Sequence, residues 1–207
     1  MTEKEVKEAV ATTMRRLYER GLTTSTGGNT SARFGSLMAI TPSGKDKSSL
    51  TADDIALVDL KSGENLSPFK LSIETEMHRR IYLEREDVNS VVHSHPTFSC
   101  LYSASKESIN LSLIAESYYL LGERVEKVPY CLMGTVALAE KVALYIKNND
   151  ALLLENHGSL ATGKTLLNAF DRLECLEQAA KLTFLSHFVP CDDIKDIDKA
   201  NIIEMRK

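Results

Sequence analysis

The chain has 207 residues, 43% of them hydrophobic and 26% charged, which is typical of a soluble globular protein with one core. Its 25 basic and 29 acidic residues give a net charge of −4, which argues against a nucleic-acid-binding surface. The N-terminus lacks a signal-peptide pattern, no apolar run is long enough for a membrane helix, and the four cysteines have no CxxC spacing, so we expect a cytoplasmic protein with free thiols and no membrane contact.

The first half of the chain predicts a helix, a long loop and two strands. Apolar residues recur at helical spacing over 6–17, and Gly21 follows as a C-cap glycine. Residues 23–36 are dense in Gly, Ser and Thr and predict a loop. Short apolar runs at 37–41 and 55–60 predict strands.

The second half of the chain alternates predicted strands and helices. Ser72 is expected to cap a helix that runs through residue 85. The remaining predicted elements are a strand at 88–95, helices at 107–122 and 134–147, a strand at 151–155 and a helix at 165–188. This interleaving predicts one α/β domain over residues 1–207, with helices covering a sheet.

Three of the five histidines lie where apolar strands end. His93 and His95 are two residues apart, and such residues in a strand point to the same face. His157 follows the apolar run of a second strand and precedes a glycine. Three imidazoles from two strand ends predict an open metal site of the kind found in catalytic zinc proteins, with room for water or substrate.

The other two histidines are expected to lie outside this site. His78 falls in the middle of a predicted helix, four residues after Glu74, and pairing with that carboxylate is the expected role. His187 is expected to be an ordinary surface or core residue. The predicted metal shell is therefore limited to His93, His95 and His157.

Three separate segments carry small and hydroxyl residues that suit an anion. Glycine lets backbone N–H groups approach a phosphate closely, and hydroxyls and a helix N-terminus add further favourable contacts. The segments contain Gly28 and Asn29, Ser43 and Gly44, and Ser72. Together with a metal site they favour a small phosphorylated substrate.

With these residues in view, the sequence resembles the class II aldolase and adducin-head family, and most nearly its L-fuculose-phosphate aldolase branch. The resemblance extends over nearly the whole chain. The segments that carry it are RGLTTSTGGNTSAR, ITPSGK, LSIETEMH, VVHSHP, VPYCLMGT and LLENHGSLATGK. Their order and spacing make the resemblance specific.

The resemblance implies a fold, an assembly and residue roles. The fold would be a three-layer α/β domain with a mainly antiparallel central sheet, and the assembly a homotetramer with active sites between subunits. One Zn2+ per subunit would be held by His93, His95, His157 and Glu74, and Glu74 would also be the catalytic acid and base. The substrate phosphate would contact Gly28, Asn29, Ser43, Gly44, Ser72 and Ile73.

The reaction implied is cleavage of a ketose 1-phosphate to dihydroxyacetone phosphate and an aldehyde, through a metal-stabilised enediolate. Aldolases of this branch carry a tyrosine near the position of Ile114 that handles the aldehyde half. Tyr118 lies one turn further along, where a core or interface tyrosine is the expected role.

Other reactions of the family are alternatives. Its 4-epimerases carry an aspartate at the position of Glu74 and its dehydratases a cysteine near it, so both are disfavoured here. A decarboxylase acting on a 3-oxo acid phosphate stays open, because it needs the same charge stabilisation. A non-catalytic adducin-like scaffold is disfavoured, because the three histidines and the glutamate are all present.

Overall fold

A seven-stranded sheet runs through the centre of the protein, whose computed structural model describes residues 2–206. The strands are β1 (Asn29–Phe34), β2 (Leu37–Ile40), β3 (Ala56–Asp59), β4 (Ser90–Ser94), β5 (Glu126–Val128), β6 (Ala151–Leu154) and β7 (Gly158–Gly163). They lie in the order β3-β2-β1-β4-β7-β6-β5, and only β5 and β6 pair in parallel. The mainly antiparallel sheet is therefore confirmed.

Helices cover both faces of this sheet. They are α1 (Glu3–Glu19), α2 (Thr75–Glu84), α3 (Thr97–Ala104), α4 (Ala115–Leu121), α5 (Val136–Ile146), α6 (Leu166–Ser186) and α7 (Asp196–Met205). Helices α1, α3, α4 and α6 share one hydrophobic core with the sheet, and α2 and α5 share the other. The three-layer α/β domain is confirmed.

The alternation of side chains along each strand builds these two cores. Val92 faces the core beneath α1 and α6, whereas its neighbour Val91 faces the core beneath α2 and α5. Strand β6 repeats the pattern, since Leu153 faces the first core and Leu152 and Leu154 face the second. Because both faces are buried, such strands appear in the sequence as continuous apolar runs.

Two predicted segments differ from the structure. The predicted loop over 23–36 contains β1, whose polar residues are buried because neighbouring side chains satisfy them. The predicted helix over 107–122 is helical only in a short 3-10 turn at Leu111–Leu113 and in α4. Asn110 accounts for the break, because its side chain accepts a hydrogen bond from the Ser112 N–H.

The start of α2 also differs from the prediction. The helix begins at Thr75 with Glu74 at the N-cap position, so Ser72 is not its cap. The Ser72 hydroxyl instead accepts a hydrogen bond from the Glu74 N–H at 3.3 Å, within a turn that precedes the helix. This turn places the Glu74 carboxylate at the junction of helix and sheet.

The cysteines and the helices were also subjects of prediction from the sequence. All four cysteines are free, as expected. Within residues 2–206, no helix combines the length and the apolar character that crossing a membrane requires.

Candidate active site

His93 and His95 lie at the end of the central strand β4. His93 is a residue of the strand, paired with Asn29 on β1 and with Leu160 on β7, and it is fully buried. His95 follows two residues later, just beyond the strand end. Their rings meet edge to face with centroids 4.8 Å apart, so the shared orientation expected from their spacing is confirmed.

His157 reaches the same point from the hairpin turn between β6 and β7. Strand β7 separates β6 from β4, so the histidines come from a strand end and a hairpin rather than from two neighbouring strand ends. Asn156 supports the turn with a left-handed φ of 54°, a conformation that asparagine tolerates better than most residues. The His157 ring lies 4.9 Å from His93 and 5.4 Å from His95, between centroids.

Two glycines allow the backbone to approach these rings. A Cβ atom at Gly158 would lie 2.6 Å from the Ser94 carbonyl oxygen and 2.7 Å from the His95 ring. A Cβ at Gly28, where φ is +65°, would lie 2.7 Å from the His93 carbonyl oxygen. Larger residues at these two positions would displace the chain segments that hold the histidines.

Glu74 faces the three rings from the start of α2. Its two carboxylate oxygens lie 3.1 Å from the Nε2 atoms of His93 and His157, one oxygen to each ring. The Asn29 amide donates a hydrogen bond of 2.9 Å to the same carboxylate and one of 3.2 Å to the Ser72 hydroxyl. Glu74 is only 5% exposed, so these contacts define its surroundings.

The electrostatics of the cluster favour an ionised glutamate. Burial on its own would raise the pKa of Glu74, but the field of His93 and contacts with His157 and His93 hold that pKa far below its usual range. Burial also opposes protonation of His93, whereas the neighbouring Glu74 carboxylate raises the pKa of that ring. Burial lowers the pKa of His95 to about 3, which keeps that ring neutral.

The tautomer of His93 follows from its hydrogen bond. Its Nδ1 lies 2.8 Å from the Ser159 carbonyl oxygen, and since a carbonyl only accepts, Nδ1 carries the proton. In the neutral ring, which is the form that binds a metal, the Nε2 atom therefore presents a lone pair to the space between the rings. This backbone hydrogen bond is the kind of outer contact that orients metal-binding histidines.

The residues present fit a divalent transition metal such as zinc. One nitrogen from each of the three histidines lies within 4.8 Å of the others. The Nε2 of His93, the Nδ1 of His157 and one Glu74 oxygen are buried without a hydrogen-bond partner among the described residues. Three imidazoles and a carboxylate form a donor set that zinc accepts.

His78 is not part of this cluster, but its expected pairing with Glu74 is wrong. Its Nδ1 lies 2.7 Å from the Ser31 hydroxyl, which is also 2.8 Å from the Tyr82 hydroxyl. Asn29 and Ser31 share one face of β1, and Glu74 at the N-cap of α2 lies one turn before His78, so Asn29 contacts Glu74 and Ser31 contacts His78. Burial lowers the pKa of His78 to about 3, so this ring is neutral.

The three anion-friendly segments lie together beside the metal cluster. Asn29 contacts Ser72 directly, as described above. Pro42, which precedes Ser43, forms a β-bridge with Leu71, and the Ser43 N–H donates to the Lys70 carbonyl at 3.0 Å. The turn that contains Ser43 and Gly44 is therefore joined to the segment that leads into Ser72 and Glu74.

The remaining residues singled out from the sequence fall in different surroundings. Ile73 is 54% exposed and packs against Gly134. Tyr118 is buried in the core beneath α6, as expected for a core tyrosine. His187 is exposed, with its ring 3.4 Å from a Glu107 carboxylate oxygen.

The sequence pattern missed the buried hydroxyls of Ser31 and Tyr82, whose role depends on pairing between β1 and α2. It also missed Glu177 on α6, which accepts from the N–H groups of Phe98 and Ser99 at the start of α3. Helix α3 directly follows His95, so Glu177 supports the backbone that carries this histidine.

A family model described as the class II aldolase and adducin N-terminal domain matches residues 8–184. The chain belongs to the class II aldolase and adducin family. The L-fuculose phosphate aldolase of Methanococcus maripaludis is 34% identical over 171 residues, which cover 83% of this chain and 92% of that protein. The 3-oxo-tetronate 4-phosphate decarboxylase of Haemophilus influenzae is 31% identical, with 89% of each chain covered.

A solved structure agrees with this membership of the class II aldolase family. An L-fuculose 1-phosphate aldolase with 32% sequence identity superposes with a TM-score of 0.89, covering 99% of this chain and 97% of that one. Both the fold and the resemblance to the L-fuculose-phosphate aldolase branch are thereby confirmed.

Proposed function

We propose that this protein is a zinc-dependent aldolase that cleaves a ketose 1-phosphate, of the L-fuculose 1-phosphate type, to dihydroxyacetone phosphate and an aldehyde. The observation that carries the proposal is the cluster of His93, His95 and His157, two of which, His93 and His157, contact the Glu74 carboxylate. The neighbouring segments of Gly28, Ser43 and Ser72 supply the surroundings for a phosphate. A binding scaffold would have no use for a buried, ionised carboxylate surrounded by imidazoles.

The metal would be held by the three histidines, with Glu74 as a fourth ligand in the resting protein. When bound, the cation supplies Lewis-acid stabilisation of the negative charge that develops on the substrate oxygens. His93 keeps its Nε2 lone pair directed to this point through its hydrogen bond to the Ser159 carbonyl.

Glu74 is the proton carrier of the reaction. In cleavage, the bond between C3 and C4 breaks, its electron pair stays with C3, and the C4 oxygen becomes the aldehyde carbonyl as its proton passes to water, from which Glu74 takes up a proton. Glu74 then delivers a proton to C3 of the dihydroxyacetone phosphate half, and in condensation it removes that proton. Its low pKa keeps it ionised in the free protein and so able to accept a proton, and its contact with Asn29 keeps one oxygen directed into the site.

The phosphate group would hold the reacting carbons in place. We assign this contact to Gly28, Asn29, Ser43, Gly44, Ser72 and Ile73. Asn29 links the two halves of the site, because its amide contacts both the Ser72 hydroxyl and the Glu74 carboxylate. Positioning a substrate in this way contributes several kcal/mol to catalysis.

The test is release of dihydroxyacetone phosphate from a panel of ketose 1-phosphates, followed with a coupled NADH-dependent reductase. Zinc is counted by elemental analysis of the purified protein, and a chelator is expected to abolish the release. Glu74→Gln is expected to keep most of its zinc and to lose at least ~1,000-fold in kcat, since it keeps the three histidines but cannot carry the proton. Full activity of Glu74→Gln would refute the proton-transfer role.

A second candidate is decarboxylation of a 3-oxo acid phosphate. The similarity to the Haemophilus influenzae decarboxylase favours it. The loss of carbon dioxide from such an acid also leaves an electron pair on the carbon beside a carbonyl, and Glu74 would again protonate that carbon. Carbon dioxide released from a 3-oxo acid 4-phosphate, with no cleavage of ketose 1-phosphates, would establish this reaction instead.

We further infer a cytoplasmic homotetramer of single-domain subunits spanning residues 1–207, with active sites between subunits and one zinc ion each. Exposed apolar residues support a subunit contact, since Phe188 is 72% exposed and Leu132 is 61% exposed. Light scattering coupled to size-exclusion chromatography measures the assembly. A monomer that is fully active would refute the interface site.

A further inference from the structure

Lys47 is a buried lysine to which neither the metal cluster nor the proton transfer assigns a role. Only 1% of the residue is exposed, and its ammonium donates one hydrogen bond of 3.0 Å to the Pro42 carbonyl oxygen. A buried ammonium requires hydrogen bonds and a compensating charge. A single carbonyl oxygen supplies one hydrogen bond and no compensating charge.

The surroundings of Lys47 contain no counter-charge among the described residues. Lys47 forms hydrogen bonds with Ser25 and Pro42, and the segments around these two residues, 21–29 and 41–44, include no acidic side chain. The carboxylate of Asp46 accepts from the N–H and hydroxyl of Ser48, at 3.0 and 2.9 Å. Asp54 pairs with the exposed Lys45 at 3.1 Å. Lys47 itself forms no ion pair with a described carboxylate.

Lys47 also lies where the three anion-friendly segments join. Its N–H donates to the Ser25 carbonyl at 2.8 Å, in the loop that leads to Gly28. Its ammonium binds Pro42, whose β-bridge partner Leu71 precedes Ser72. Backbone carbonyls of two of these segments therefore hold Lys47, and the bridge from Pro42 to Leu71 joins it to the third.

We propose that Lys47 is a phosphate-subsite residue whose buried ammonium supplies the positive charge that the substrate phosphate neutralises, while its hydrogen bonds hold the segments of Ser25–Gly28 and Pro42–Gly44 together. This rests on the proposed phosphosugar function. It assigns the charge of the subsite to a buried residue, whereas the six residues assigned to the phosphate contact are all neutral.

The affinity of this subsite for an anion is expected to depend on pH. Burial lowers the pKa of Lys47 to about 8, and no charged side chain of the packed segments, including Lys45, Asp46 and Lys70, contributes to that shift. A bound dianion stabilises the ammonium form. Anion affinity must therefore decrease as the pH rises above about 8, where the free protein loses this proton.

The experiment measures the binding of inorganic phosphate to the metal-loaded protein by calorimetry. Lys47→Met keeps the length of the side chain and removes the charge, and we expect the Kd to rise at least ~10-fold. Lys45→Met is the matched control, because this lysine lies two residues away and is already paired with Asp54. We expect its Kd to stay within ~2-fold of the wild type.

A second measurement uses sulfate, because sulfate stays a dianion from about pH 7 to about pH 9.5 and any change in affinity then comes from the protein. The wild-type affinity is expected to fall above pH ~8 and that of Lys47→Met to be independent of pH. Lys47→Arg, which keeps a charge that does not titrate, is expected to retain affinity at high pH. If Lys47→Met does not fold, the role of Lys47 is tested by comparing how the sulfate affinities of the wild type and Lys47→Arg depend on pH.

Equal phosphate binding by the wild type and Lys47→Met, or a wild-type sulfate profile that is flat to pH ~9.5, would overturn the role of Lys47. Those results would leave the aldolase proposal intact if dihydroxyacetone phosphate is still released. Conversely, normal anion binding that depends on Lys47, without release from any ketose 1-phosphate, would overturn only the aldolase assignment.

Discussion

Replacing Ser31 with alanine tests the buried contact between β1 and α2 that lies behind the active site. The Ser31 hydroxyl is 2.7 Å from the His78 Nδ1 and 2.8 Å from the Tyr82 hydroxyl, and all three residues are almost completely buried. Alanine would leave both partners without this contact. A buried polar group left unpaired costs about 1–3 kcal/mol, so we expect Ser31→Ala to lose about 2–4 kcal/mol of unfolding free energy.

The measurement is urea unfolding followed by circular dichroism, at a fixed metal concentration. For a chain of this length, the expected loss corresponds to a decrease in Tm of about 5–15 °C. The control Ser48→Ala removes an exposed hydroxyl and is expected to change stability by less than about 0.5 kcal/mol. The double variant Ser31→Ala with Tyr82→Phe should lose less than the sum of the two single changes, because they break the same contact.

A loss below about 0.5 kcal/mol in Ser31→Ala would refute this reasoning, since it would mean that His78 and Tyr82 find other partners. The contact also has a functional consequence. Asn29 is two residues before Ser31 on β1, and Glu74 is four residues before His78 on α2. We therefore expect the folded fraction of Ser31→Ala to show a lower kcat through Glu74 and a higher KM through Asn29, which is assigned to the phosphate contact.

Three further predictions concern His93, Gly28 and Lys47. His93→Ala is expected to lose its zinc and its activity together, as measured by elemental analysis and substrate turnover, because it removes the central ligand. Gly28→Ala is expected to destabilise the protein by at least about 1 kcal/mol more than Gly35→Ala, because both have positive φ but only Gly28 lies against a carbonyl. For Lys47, burial lowers the pKa from the ordinary lysine value of 10.5 to about 8, so the cost of burying the charge is present below pH 8 and disappears as the pH rises to 10.5. The unfolding free energy of the wild type relative to Lys47→Met should therefore rise by about 3 kcal/mol over that window.

The sequence predicted the helices and strands whose apolar residues recur at a regular spacing. Helices α1, α5 and α6 and strands β3, β4 and β6 lie close to their predicted positions, since each buries an apolar face. Strand β1 was predicted as loop because its first residues, Asn29, Thr30 and Ser31, are polar. These residues are buried only because partners from distant segments satisfy them, and a local pattern contains no information about such partners.

In the candidate site, too, local patterns were predictable and contacts between distant segments were not. The spacing of His93 and His95 predicted their convergence, because residue alternation is a local property of a strand. The contact of His157 depended on the β6–β7 hairpin, which places this residue across an intervening strand. The pairing of Glu74 with Asn29, and of His78 with Ser31, depends on the register between a helix and a strand, and so it required the three-dimensional structure.

Strand β1 connects every part of the candidate site, and its polar character has a physical explanation. Asn29 pairs with His93 in the sheet and donates to Glu74 and Ser72, while Gly28 lies against the His93 carbonyl. An apolar strand at this place would remove the amide that donates to the Glu74 carboxylate and would leave that carboxylate only its contacts with His93 and His157. A buried carboxylate with fewer stabilising contacts takes up a proton more readily, and it would then lose the charge that both metal binding and proton removal require. The Asn29 amide of β1 therefore adds to the two histidines in keeping an ionised base inside the protein.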